Sequence, residues 1–123
     1  MPKIALLFAA LHIPLMLFLS YRVAMHRHAA KIGLGVAGDY KLERKVRAHA
    51  NFVESAPFVL VLIAALEATQ GSANWLWYVG ILYIFGRLAH GLGMDGGALG
   101  KGRMVGTLIT MLTLLGLAGY ALW

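Results

Sequence analysis

The sequence predicts an all-helical integral membrane protein, one domain built as a bundle of four transmembrane helices. Three observations lead there. Sixty per cent of the 123 residues are hydrophobic and 13% are charged, against about 25% charged in an ordinary soluble domain. A chain this short cannot bury that much apolar surface in its own core, so lipid must cover part of it. The apolar residues fall into four separate runs, each close to the ~20 residues that cross the hydrocarbon layer of a bilayer. Strand-like alternation is absent, and in lipid each run satisfies its backbone groups internally as a helix.

The first run covers about residues 4–25. It follows Lys3 and reads "IALLFAALHIPLMLFLSY", with Tyr-Arg rather than a small-residue cleavage site after it, so it is expected to be a retained span and not a signal peptide. His12, near Pro14, is expected to hydrogen-bond structurally or fill the gap at a proline kink. The second run covers about 42–69, with its purely apolar part at 56–66. Pro57 lies inside it and deprives the carbonyl of Val53 of its usual partner, so a kink that widens a cavity is expected there. Glu67, near the far end, is expected to be solvated. The third run covers about 74–92 and the fourth about 104–122, in which Gly116 and Gly119 are expected to be packing positions.

The connections differ in kind. "HRHAAKIGLGVAGDYK" joins runs one and two, and His26 and His28 read as loop residues. "QGSAN" is short and uncharged, which makes runs two and three an antiparallel hairpin. "GMDGGALGKG" is rich in glycine. Seven of the eleven Lys and Arg residues lie within 22–47, and Arg87, Lys101 and Arg103 flank the third connection. The excess of basic residues on cytoplasmic loops puts the first and third connections in the cytoplasm and both termini on the non-cytoplasmic side. Trp75, Trp77, Tyr78, Tyr120 and Trp123 then fall at the opposite interface, where aromatic belts form. The formal charge of +6 therefore reads as membrane orientation and not as a nucleic-acid surface. Cysteine is absent, which excludes disulfides, thiolate metal sites and a cysteine nucleophile. No pair of histidines has helical ligand spacing beside a carboxylate, so no metal site is expected.

The polar residues that could carry chemistry are concentrated. On a helix, Arg44, Arg47, Asn51 and Glu54 fall within roughly 80° of one another and climb about 15 Å along the axis. Arg87 and His90, spaced i, i+3, share a face of the third helix. Arg103 opens the fourth, and Arg22 and Arg27 end the first. Ionisable side chains within a membrane cost about 2.5–3.5 kcal/mol each and usually face protein or trapped water. Arg44 and Lys45 can equally serve as interfacial anchors, and Asn51 and Glu54 as interhelical hydrogen-bonding groups.

The stretch "ERKVRAHANFVESAP" resembles the second-helix signature of the MAPEG family, membrane-associated proteins in eicosanoid and glutathione metabolism. That signature, E-R-x-x-R-A-x-x-N-x-x-E with a proline close behind, is met by Glu43, Arg44, Arg47, Ala48, Asn51, Glu54 and Pro57. "GRLAH" at 86–90 resembles the family's third-helix segment. The resemblance implies a homotrimer in a bacterial inner membrane, with glutathione bound between subunits near the cytoplasmic side. It implies that Arg47, Asn51 and Glu54 contact the tripeptide, with Arg87 and His90 nearby and a first-helix arginine, Arg27 or alternatively Arg22, completing the set. It implies that Arg103 stabilises the thiolate and that the second substrate is a lipophilic small molecule. The implied activity is that of a glutathione transferase or peroxidase.

The sequence departs from some members. Ser55 stands where those with eicosanoid chemistry commonly have tyrosine, Met94 and Thr107 where some carry tyrosines, Met104 where a serine follows the arginine, and Ala50 in place of an arginine. These differences argue against a dedicated prostaglandin E synthase and leave a general glutathione transferase. Two other classes remain: a small proton-coupled transporter using Glu54, and a non-catalytic trimeric membrane protein. Four-span small multidrug exporters carry their glutamate in the first helix, which here has none, and a ring of arginines repels a cationic substrate.

Overall fold

The computed structural model describes residues 2–94 and 100–123. The described chain is all-helical: α1 Lys3–Ala30, α2 Tyr40–Gln70, α3 Asn74–Gly93 and α4 Lys101–Leu122. Among the described residues, α1, α2 and α4 are long and apolar enough to cross a membrane. In α3, Asn74, Arg87 and His90 interrupt an otherwise aromatic and aliphatic helix of 20 residues. At 31 residues and ~1.5 Å per residue, α2 outruns a ~30 Å hydrocarbon layer. The surplus is its charged N-terminal part.

Each end has a local cause. Asp39 caps α2, its side chain accepting from Leu42 N–H at 3.1 Å, the ordinary role of an N-cap carboxylate. Gly71 stops α2 with φ +82°, a conformation that favours glycine, and only 71–73 separate α2 from α3. The first helix runs to Ala30, past the predicted end at 25, so His26 and His28 are helical and not loop residues. Loss of apolar character marks where lipid ends, whereas the helix itself continues through "HRHAA" to Lys31, which takes the left-handed conformation at φ 58°.

Glu67 corrects a second expectation. It is buried, at 3% exposure, and not solvated. Its carboxylate accepts from Ile4 N–H at 3.0 and 2.8 Å, from Ala5 N–H at 3.2 Å and from the Ser72 hydroxyl at 2.9 Å. Pro2 provides α1 with no side-chain cap, so α2 supplies one in trans, at the helix end where backbone N–H groups lack partners and negative charge is favoured.

The core runs between these elements through Phe8, Leu19, Val59, Ile63, Leu76 and Tyr83. Phe8 fills the space where a Cβ on Gly80 would stand, bringing α1 against α3. The α3 and α4 backbones approach most closely at Gly93, Gly102 and Gly106, where an added Cβ would collide with backbone of the facing helix. Gly102 and Gly106 form a G-x-x-x-G pair, the spacing that lets membrane helices pack backbone to backbone. Gly116 and Gly119, expected to be packing positions, have open space beside them within this chain. Helices α1 and α2 continue unbroken through Pro14 and Pro57. His12 Nδ1 bonds the Phe8 carbonyl, the structural role expected of it.

Candidate functional site

The polar residues of α2, α3 and α4 meet at a junction organised by Arg87. Arg87 is 2% exposed, and its guanidinium donates to Asn51 Oδ1 on α2 and to the Gly106 carbonyl on α4 at 3.0 Å and lies 5.8 Å from the Tyr83 ring. One planar fork thus ties three helices together, a geometry that suits arginine and not lysine. The absence of a side chain at Gly106 lets α4 lie against α3 here: a Cβ there would meet the Gly86 carbonyl and His90. His90 is buried against this crossing.

Behind the junction lies a second polar contact. The Tyr83 hydroxyl and Ser55 Oγ are 2.8 Å apart, and Ser55 also donates to the Asn51 carbonyl at 3.0 Å. His12 of α1 stacks on Tyr83, centroids 5.5 Å apart and planes at 20°. Ser55 was legible only as a departure from a family pattern, and Tyr83 gave no signal of its own. The polar chain they form with Asn51 and Arg87 depends on which faces of α2 and α3 meet.

The outer side of the α2 stripe is open. Arg47 Nη2 and Glu54 Oε2 are 3.9 Å apart, with side chains 55% and 62% exposed. A pair this exposed is worth about 0–1 kcal/mol in water and does little to neutralise either group. Asn51 is half-buried between the open and closed sides. With Oδ1 engaged by Arg87, its two N–H donors remain for another partner. Arg103 is exposed at the start of α4, one turn before Gly106, and its main-chain carbonyl accepts from Thr107 Oγ1 at 2.8 Å.

Asn51, Arg87 and His90 are therefore brought together, with Arg47 and Glu54 on the adjoining exposed surface and Arg103 at the neighbouring helix end. Arg27 is apart from them. Its Nη1 donates to the carbonyls of Gly35 at 2.7 Å and Ile32 at 3.4 Å, closing the loop after α1. Arg22, the alternative from α1, reaches the Gly91 carbonyl at 3.4 Å. The assembled charge is cationic around one carboxylate, an arrangement that recognises an anion carrying an amine through paired guanidinium contacts.

Comparison with known proteins agrees with the sequence signature. The family model described as MAPEG family matches residues 5–123. The inner membrane protein YecN of Escherichia coli K12 is 31% identical over 88 residues, covering 71% of this chain and 66% of the relative. YecN of Escherichia coli O6:H1 strain CFT073 matches to the same extent. The match thus spans just under two thirds of these relatives' length. No solved structure matches significantly. With the family matched from residue 5 to the last residue, this chain belongs to the MAPEG family, membrane-associated proteins of eicosanoid and glutathione metabolism.

Proposed function

We propose that this membrane protein is a glutathione-dependent transferase or peroxidase acting on lipophilic electrophiles, and that it works as a homotrimer in a bacterial inner membrane. The observation that carries the reading is the open stripe of Arg47, Asn51 and Glu54 on α2, held against α3 and α4 by the buried Arg87 fork. Charged groups left against lipid at this depth are costly. A neighbouring copy and a bound polar ligand together would remove that cost, which is why the stripe argues for a site between protomers. The same reading takes α3 as a fourth crossing and sets both termini on the non-cytoplasmic side.

Glutathione brings two carboxylates and one ammonium. Arg47 suits a carboxylate, the Asn51 amide, oriented by the buried Arg87, supplies further donors, Glu54 takes the ammonium, and His90 shapes the buried wall. Arg27, apart from these residues within one protomer, is assigned to the site of a neighbouring copy. Arg103 faces the thiol. A free thiol has a pKa near 8.5 and is mostly protonated at neutral pH, and an adjacent guanidinium favours the thiolate. In transfer, the thiolate sulfur attacks an electrophilic carbon, a C–S bond forms, and the displaced group leaves with the bonding electrons. In peroxide reduction, two glutathione molecules are oxidised to the disulfide while the hydroperoxide becomes an alcohol and water. The apolar partner arrives through the bilayer.

The test is glutathione binding by the purified protein in detergent, with thiolate absorbance followed against pH. Saturable binding is expected, with a thiol pKa below that of free glutathione. Arg103→Ala is expected to return the pKa towards the free value with little change in affinity. Absence of saturable binding up to millimolar glutathione overturns the reading.

A further inference from the structure

A second polar feature lies away from the Arg87 junction, where the charged start of α2 faces the end of α1. A recess of about 440 Å³ opens there, lined among the described residues by Arg22, Lys41, Arg44 and Lys45. Lys45 Nζ is oriented by His26, 3.3 Å away, and His26 in turn is 2.8 Å from Asp39. An ammonium has three donors, so Lys45 retains two for a ligand.

One turn back along α1 lies an apolar groove of about 330 Å³ between α1 and α3, lined by Leu11, Pro14, Leu15, Phe18, Ile84 and Leu88. Arg22 and Phe18 join the two. Arg22 lines the recess, and its guanidinium lies 5.7 Å from the ring of Phe18, which lines the groove. A cationic recess thus lies one helical turn from an apolar groove on α1, the two linked through the Arg22–Phe18 contact. The surroundings mark the bilayer interface: Tyr21 and Tyr40 are exposed beside the cations, and Leu34 in the intervening loop is 92% exposed. Amphipathic aromatic rings settle at headgroup level.

We propose that recess and groove form one binding site for an anionic phospholipid, with the phosphate on Lys41, Arg44 and Lys45 and an acyl chain along Leu15 and Phe18. Charge selects the head: basic pockets between membrane helices attract anionic headgroups, at about 1 kcal/mol per cation near the surface. The groove selects a lipid over a free phosphate, which has nothing to place there. This site does not depend on the glutathione reading, which uses neither Lys41 nor Lys45.

The test is lipid retention by the full chain in non-ionic detergent, measured by native mass spectrometry. Phosphatidylglycerol, phosphatidylcholine with the same acyl chains, inorganic phosphate and glutathione are the probes. One phosphatidylglycerol per protomer is expected to persist while phosphatidylcholine dissociates. Lys41→Gln with Lys45→Gln is expected to weaken phosphatidylglycerol binding about 10- to 30-fold, the loss of two surface cations. Lys41→Gln alone, which spares the His26 contact, is expected to weaken it by about fivefold and serves if the double variant misfolds. Equal retention of both lipids, or no effect of Lys41→Gln, overturns the site. Displacement by inorganic phosphate would make it a free-anion site, and displacement by glutathione would make it part of the thiol site. Either result also overturns the proposal.

Discussion

Helix α2 carries two intramembrane glutamates that the structure treats in opposite ways. Glu67 is buried, and both of its oxygens are taken by two backbone N–H groups at the start of α1 and by the Ser72 hydroxyl. Glu54 stands 62% exposed with Arg47 3.9 Å away. A carboxylate whose hydrogen bonds are complete within one chain is part of the architecture. One further back on the same helix, with its capacity unspent, is where the proposed neighbouring protomer or ligand would find a partner. The contrast separates the polar groups the fold consumes from those assigned to the proposed site, in a chain where composition alone makes them look alike.

The largest effect is expected at the structural glutamate. Glu67→Ala strands two buried N–H groups at a helix start, at about 1–3 kcal/mol each, so unfolding in detergent should become easier by about 3 kcal/mol. Glutathione affinity of the folded fraction should be unchanged. A drop in affinity at constant stability would erase the distinction between the two glutamates.

Arg87 sharpens it, being structural in its contacts and, under the proposed function, felt at the ligand through Asn51. Arg87→Met removes a buried charge but leaves its two acceptors, Asn51 Oδ1 and the Gly106 carbonyl, without that donor, and these gains and costs partly cancel. Stability should change by less than about 2 kcal/mol. Asn51, losing the partner of Oδ1, should lose its fixed orientation, and glutathione affinity should fall about tenfold, or ~1.4 kcal/mol. Calorimetric titration beside thermal unfolding separates the two.

The smallest effect is outside the membrane-spanning segments. The hydrogen bond from His26, followed by the Leu42 N–H, holds the Asp39 carboxyl below its ordinary pKa of 3.8. A depressed carboxylate pKa contributes stability that is complete above the unfolded value and lost as pH falls through the folded one. Thermal stability should therefore decline on acidification below about pH 4, and Asp39→Asn should flatten that decline while leaving glutathione binding alone.

The same contrast explains what could be read in advance. Apolar runs located all four helices, and α3 begins at Asn74 as read, because short polar links leave little freedom there. The end of α1 was misjudged by five residues, since "HRHAA" has no lipid-facing character yet remains helical. The stripe of Arg47, Asn51 and Glu54 was legible from helical geometry because its members share one helix. The Asn51–Arg87 and Ser55–Tyr83 pairs were not, because each joins α2 to α3 and depends on the relative rotation of two helices. Glu67 was misread for the same reason: its backbone partners belong to α1, 60 or more positions away in sequence.

The most direct test of the account is a calorimetric titration of glutathione into the wild-type protein, Glu54→Gln and Glu67→Gln, in a detergent that preserves the oligomer. The account predicts saturable binding to the wild type, binding about tenfold weaker in Glu54→Gln, and wild-type affinity in the folded fraction of Glu67→Gln. No saturable heat with the wild type, or equal affinity in the wild type and Glu54→Gln, would contradict it.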